Sequence, residues 1–341
     1  LRRLILTFTL FLNASLLFSQ AYPKVVAEDG DGIYLLLRRH GLEPAEHLQN
    51  FLELNQDKLG QDNSLYAGKT YLLPTASAGG TTAAATPEKA APAPAAVLVE
   101  PLFGENYERV EILDRQLQGS VYYLVAGHSG PDPGAIGKYG PYQLSEDEYA
   151  YDVTIRLARR LMEHGATVYM IIQDPDDGIR DENILPMDTD EVGYYGDPVP
   201  HGQTQRLRSR VADINRLYQR HKGQHQRMLS IHIDSRSKGQ NIDVFFYHHE
   251  NSTPGLALAQ RIHEVFTTKY NRYQPNRDYF GTVTPRSSLY VVKYSHPPTV
   301  FVELGNIKND KDQRRFVIPN NRQALANWLC DGIIADYKAS N

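Results

Sequence analysis

Residues 120–135 read SVYYLVAGHSGPDPGA. The run VYYLV is apolar without alternation and ends at a glycine. Such a run suits an interior strand of a parallel sheet, buried on both faces. A Gly/Pro-rich stretch follows it at once, with His128 near its start. A phosphate-binding loop would need closely spaced glycines followed by Lys and Ser/Thr at a helix start. Here prolines intervene and Lys138 comes late, so the stretch reads as a tight strand exit that presents a histidine.

Outward from this strand, apolar runs alternate with helical periodicity. SEDEYAYDVTIRLARRLMEHG (145–165) predicts a helix, ATVYMIIQ a strand and QRLRSRVADINRLYQRH a helix. RMLSIHID and IDVFFYHH predict strands, and TPGLALAQRIHEVFTTKY a helix. SLYVVKY and PTVFVELG predict strands, and NRQALANWLCDGIIADY a last helix. The alternation predicts an α/β domain over 98–341, a largely parallel sheet flanked by helices. Sites in such folds gather at the carboxyl ends of strands. Only 174–205 breaks the rhythm. It is acidic, carries Gly, Pro and Tyr, and is long enough to be a functional loop or lid.

The N-terminal part has a different character. Residues 1–21 have a basic start (Arg2, Arg3), an apolar run to Phe18 and a small, polar end. This is a signal-peptide pattern, with cleavage expected near Gln20–Ala21. For a membrane anchor the run is short and is interrupted by Asn13. No cysteine follows it, which excludes a lipoprotein anchor. The mature protein is expected to be exported, in the periplasm, envelope or medium, without stable membrane insertion. A compact segment follows at 22–74, then a linker at 75–97 made almost wholly of Ala, Thr, Pro and Gly up to residue 96. With 36 basic and 40 acidic residues the chain lacks the basic excess of a nucleic-acid binder. Its single cysteine, Cys330, excludes an intrachain disulfide framework and a cysteine-rich metal site.

Polar residues that interrupt apolar strands mark candidate chemistry. In LSIHID, Leu229, Ile231 and Ile233 alternate with Ser230, His232 and Asp234, so His232 faces away from the apolar side near a strand end. Two histidines at strand ends, His128 and His232, invite a metal reading, because neutral imidazole is a common Zn²⁺ ligand. A third ligand is available at the start of helix 145–165. Ser145 and Glu148 fit a capping box, which leaves Glu146 free to point at a ligand. Glu303 interrupts the strand TVFVELG just before a glycine. Burying a carboxylate is costly unless it is paired or used, so its place at a strand end suggests function.

These four stretches, GHSGPDPGA, LSEDEYAYDVTIRLARRLMEHGA, SIHID and VFVELGNIKN, resemble the zinc-dependent N-acetylmuramoyl-L-alanine amidases over about residues 119–338. The family pattern is GHGG-x-D-x-GA, an acidic residue opening the next helix, S-x-H-x-N and V-E-x-GF-x-S-N. The resemblance implies Zn²⁺ held by His128, Glu146 and His232, with Glu303 as the catalytic glutamate. Glu148 replaces Glu146 if the helix start slips by two. It also implies a peptidoglycan substrate cut between N-acetylmuramic acid and L-alanine, and it admits an activator protein as partner. A zinc peptidase acting within the stem peptide and a non-catalytic wall-binding protein are the rival readings. Asp132 is expected to orient His128, and Arg286 to meet a peptide carboxylate. The chain departs from the pattern at Ser129, Asp234 and Asn306, which stand where Gly, Asn and Phe are usual. A carboxylate of the acidic loop, from Asp176, Asp177, Asp181, Glu182 or later, is a candidate for the open metal position. Residues 22–74, with EDGDGIYLLLRRHGL, Asn55 and LYAGKTYLLP, resemble a LysM module. That implies a βααβ unit that binds N-acetylglucosamine-containing glycan.

Overall fold

The computed structural model describes residues 22–27, 33–40, 42, 44–60, 65–74 and 97–340. The expected signal peptide, the EDGDG turn at 28–32 and the linker residues 75–96 lie outside them. The chain divides into two compact units, Leu1–Ala83 and Ala84–Asn341.

In the first unit, strand Lys24–Val26 pairs antiparallel with Thr70–Leu72, and helices Ile33–Arg39 and Pro44–Asn55 lie between them in sequence. Ile33, Leu36, Leu37, Phe51 and Tyr71 form its core. Buried Asn55 ties the second helix to the closing strand. Its Nδ2 donates to the Leu72 carbonyl (2.9 Å), and its Oδ1 accepts from the Leu72 N–H (2.7 Å).

The second unit is built on a six-stranded sheet. Its strands are β1 (Ser120–Ala126), β2 (Thr167–Met170), β3 (His225–Asp234), β4 (Phe245–His248), β5 (Thr282–Pro285) and β6 (Thr299–Asn306). The order across the sheet is β5-β4-β6-β3-β1-β2. All neighbours are parallel except β4 and β6. The helices are α1 (Glu146–Glu163), α2 (Gln203–Arg220), α3 (Thr253–Tyr273), α4 (Tyr290–Tyr294), α5 (Asp310–Val317) and α6 (Pro319–Ser340). Strand alternation separates two cores. Leu124, Leu229, Ile231, Val302 and Leu304 pack with α1, α3, α5 and α6 on one face. Val121, Tyr123 and Val125 of β1 pack with Val211 and Ile214 of α2 and Val291 of α4 on the other, beside Met228 and Phe301.

The fold departs from the sequence expectations in four places. SLYVVKY is not a strand. Its centre forms α4, closed by a hydrogen bond from the Lys293 N–H to the Leu289 carbonyl (2.9 Å). Consecutive Val291 and Val292 are both buried in one core, which strand alternation does not permit. The sheet edge is taken instead by TVTP, β5, a segment too short and polar to stand out. ATVYMIIQ is broken after Met170, and Ile172–Gln173 pairs antiparallel with Val192–Gly193. Strand Val97–Val99 begins one residue inside the expected linker. Finally, Ser145 caps α1 without a side-chain hydrogen bond, so the expected capping box is absent.

The acidic stretch 174–202 folds back beside α1, and α2 takes over at Gln203. Arg180 pairs with Glu148 (2.8 Å) and Asp177. Arg156 pairs with Asp181 (3.1 Å). Burial pushes the Asp174 carboxyl up to about 8, with Asp177 and Asp188 adding to the rise. No helix among the described residues is long and apolar enough to cross a membrane.

Candidate metal centre

The strand register sets the site. In the parallel pair β3–β6, His232 lies level with Glu303, and the register then shifts before Asp234. The Gly127 N–H bonds to the Ile231 carbonyl (2.8 Å), which brings the exit of β1 alongside His232. After β1 the chain passes through three residues with positive φ, two of them not glycine: His128 (62°) and Ser129 (88°), followed by Gly130 (62°). Side chains rarely adopt this region, at a cost of about 1–3 kcal/mol each. The φ of Ser129 accounts for the glycine usual there. The turn persists because the Ser129 N–H bonds to the Asp132 carbonyl (2.9 Å).

Two glycines make room for the site. A Cβ on Gly127 would lie 2.4 Å from His232 Nδ1. A Cβ on Gly134, whose φ is +68°, would lie 2.7 Å from the His128 ring and 2.8 Å from Glu146 Oε2. Gly127→Ala is therefore expected to turn the His232 ring and weaken any metal binding by this cluster about tenfold or more, by analogy with lost supporting contacts at metal sites. Calorimetric titration of the metal-free protein checks this; unchanged affinity would show that the ring can relax without leaving its position.

His128, Glu146 and His232 each offer one ligand atom, all within 4.8 Å of one another. His128 Nε2 lies 3.2 Å from Glu146 Oε2, and His232 Nδ1 lies 3.0 Å from Glu146 Oε1. Glu146 also accepts from the N–H groups of Ala135 and Ile233, at 3.0 Å each. Burial pushes the Glu146 carboxyl up, but the two imidazoles outweigh it and hold the group well below the usual range. Burial opposes charge on His128, which Glu146 and Asp132 nevertheless raise. His232 is lowered by burial, although Glu146 opposes this. Its ring stacks on Phe301, with centroids 4.1 Å apart. Two imidazoles and one carboxylate, converging from three segments, form a donor set that suits Zn²⁺.

The surrounding groups order these side chains. Asp132 Oδ2 lies 3.1 Å from His128 Nδ1 and is itself bonded by Arg206. Glu148 is turned away. It bonds Arg180 and accepts from the Asp188 N–H (3.1 Å). The structure thus brings Glu146, and not Glu148, to the histidines. Arg286 does not line the cavity beside them; its guanidinium stacks over Tyr247 at 4.8 Å. Within 174–205, only Gln203 lines that cavity, so no carboxylate of the acidic loop reaches the metal position in this structure. Buried Asn306 donates to the carbonyls of Ser237 and Gln240, a structural task that accounts for its replacing an apolar residue.

A cavity of about 350 Å³ opens beside the cluster, and Glu303 lines it. Glu303 Oε2 is buried with no hydrogen-bond partner. Burial, with the charges of Glu146 and Asp234, raises its pKa well above the ordinary value, against the opposing pull of Arg286 and Arg236. Ser230, Arg206 and Arg210 also line the cavity, a role that sequence reasoning missed. A signal for the arginines was present. Arg206 and Arg210 are four apart and share the buried side of α2 with Val211, Ile214 and Leu217.

Residues 123–335 match the family model described as N-acetylmuramoyl-L-alanine amidase. The germination-specific N-acetylmuramoyl-L-alanine amidase of Bacillus subtilis is 24% identical over 225 residues, spanning 64% of this chain and 80% of that protein. Among solved structures, the CwlD amidase of Clostridioides difficile in complex with the GerS lipoprotein aligns with a TM-score of 0.48 at 18% identity, covering 66% of this chain and 100% of that one. The amidase AmiC2 of Nostoc punctiforme aligns with a TM-score of 0.45 at 20% identity, covering 64% and 97%.

Proposed function

The chain belongs to the N-acetylmuramoyl-L-alanine amidase family, and from that premise we propose that it hydrolyses the amide between the lactyl group of N-acetylmuramic acid and L-alanine in peptidoglycan, with Zn²⁺ held by His128, Glu146 and His232 and Glu303 as general base. The observation that carries this reading is Glu303 Oε2, a buried carboxylate oxygen without a partner, on a residue that lines the same cavity as the three candidate ligands.

Zn²⁺ in such a site supplies Lewis acidity towards an amide carbonyl and makes water easier to deprotonate. The chain's own residues do the rest. Glu303 takes a proton from the attacking water as the new C–O bond forms. It returns that proton to the nitrogen as the C–N bond breaks, which yields a muramyl carboxylate and a peptide with a free L-alanine amine. Burial, with the charges of Glu146 and Asp234, raises the Glu303 pKa, which makes its carboxylate a stronger base than an exposed glutamate. Asp132, fixed by Arg206, holds His128 in orientation.

The βααβ order of residues 22–74 and the Asn55 clasp support a glycan-binding role for the first unit, joined to the second through residues 75–96. Such a module raises the local concentration of substrate. Export through the 1–21 leader would put the enzyme where peptidoglycan is. An activator protein is a further partner proposed for this chain.

The test is mass spectrometry of peptides released from peptidoglycan by the zinc-loaded full chain. Peptides that begin with a free L-alanine amine are expected. Cleavage that leaves L-alanine on the muramic acid would replace this reading with a stem-peptide peptidase, and no cleavage would favour a wall-binding protein.

A further inference from the structure

Glu303 is not the only unsatisfied group beside the cavity. Arg210 lines it and is 5% exposed, yet its Nε and Nη2 have no hydrogen-bond partner. Its neighbour Arg206 is engaged through both Nη atoms, with Asp132 and with the carbonyls of Pro200 (3.3 Å) and His201 (2.5 Å). The carboxylates that act on Arg210 through space, Asp132 and Glu191, are bonded elsewhere, to His128 and Arg206 and to the Gly130 N–H respectively. Burial, with the charge of Arg206, pushes the Arg210 guanidinium down to about 10. A desolvated cation without a bonded partner is costly, and the cost falls when an anion arrives.

The two open nitrogens define the shape of that anion. Nε and Nη2 form one edge of the guanidinium, with two parallel N–H groups that match the two oxygens of a carboxylate. Ser230 lines the same cavity, and its Oγ is also buried without a partner. We infer that Arg210, assisted by Ser230, is a specificity-determining residue that binds a carboxylate of the stem peptide close to the scissile amide. The inference rests on the proposed amidase reading for its substrate. Both nitrogens are buried, so binding requires the Arg210 side chain to turn them towards the cavity that the residue lines.

The experiment is a binding measurement that does not depend on turnover. The zinc-loaded full chain is titrated calorimetrically with L-alanyl-D-glutamate γ-amide, whose α-carboxylate is free, and with the corresponding α,γ-diamide. The wild type is expected to bind the carboxylate at least tenfold more tightly. Arg210→Gln is expected to bind the two alike, and Arg210→Lys, which keeps the charge but not the fork, to recover part of the preference. Equal binding of both peptides by the wild type overturns the inference, and so does a preference that survives in Arg210→Gln, which would place the carboxylate on the metal. Release of free L-alanine amines from peptidoglycan is scored separately, so failure of the amidase reading is distinguishable from failure of the carboxylate site.

Discussion

Glu303→Gln is expected to lower peptidoglycan hydrolysis by about 10³-fold, a barrier increase of roughly 4 kcal/mol, while zinc content stays at the wild-type level. The glutamine keeps the size of the side chain and removes only its ability to take a proton. None of the three candidate metal ligands depends on Glu303 for a hydrogen bond; Glu146 and Asp132 orient the histidines. A structural role predicts the opposite pattern, with stability lost along with activity. The buried carboxylate is expected to make the metal-free wild type less stable as pH rises. Its folded pKa lies well above the ordinary 4.5, so the folded state binds more protons than the unfolded state between those values. Stability is then full below about 4.5 and declines towards the raised folded value. Metal-free Glu303→Gln should lack this component of the decline. A variant that hydrolyses peptidoglycan at the wild-type rate would remove Glu303 from the mechanism.

The legible part of this fold is its centre. SVYYLVA, HQRMLSIHID and TVFVELGN are central parallel strands. In TVFVELGN burial on both faces leaves an apolar run in which Glu303 is conspicuous, whereas His232 is visible because Ser230, His232 and Asp234 alternate with Leu229, Ile231 and Ile233. The edges are less legible. β5 is the short segment TVTP, and α4 is an apolar run whose length fits strand or helix equally well. Glu148 resembles a capping residue because the local spacing fits. The fold gives it Arg180 instead, a partner 32 residues away that local spacing does not reveal. Asp132 is close enough to His128 in the chain for local reasoning to pair them, but the arginine that holds it lies 74 residues further on. Arg206 and Arg210 carry a local signal of a different kind, two cations on the apolar side of one helix, where burial has to be compensated by a partner or a ligand.

Arg322→Ala is expected to destabilise the second unit by about 3–5 kcal/mol, the range for breaking a buried ion pair from one side. Arg322 is 0% exposed and joins three parts of the structure to α6. Its Nε bonds Asp152 (2.5 Å) in α1. Its Nη1 bonds the carbonyls of Phe316 (2.6 Å) and Val317 (3.1 Å) at the end of α5, which lack further helix to accept from. Its Nη2 bonds the carbonyls of Arg180 and Glu182, both at 2.8 Å, in the acidic loop. Burial works against ionising Asp152, but Arg156 and Arg322 bring its pKa down to about 2. Arg156 remains in the variant, bonded to Asp152 at 2.6 Å, so the carboxylate keeps one partner. The Arg180 carbonyl also keeps Arg156 (2.5 Å), but the carbonyls of Phe316, Val317 and Glu182 lose the guanidinium, and a buried acceptor left unpaired costs about 1–3 kcal/mol. Arg322→Lys should lose nearly as much, because an ammonium carries the charge without the fork that reaches all these acceptors. Denaturant melts measure the total, and hydrogen exchange across 180–185 should show the acidic loop losing protection first. A loss below about 1 kcal/mol for both variants would mean that Arg156 alone holds Asp152 and that the loop is clamped by Arg180 and Glu148 rather than from α6.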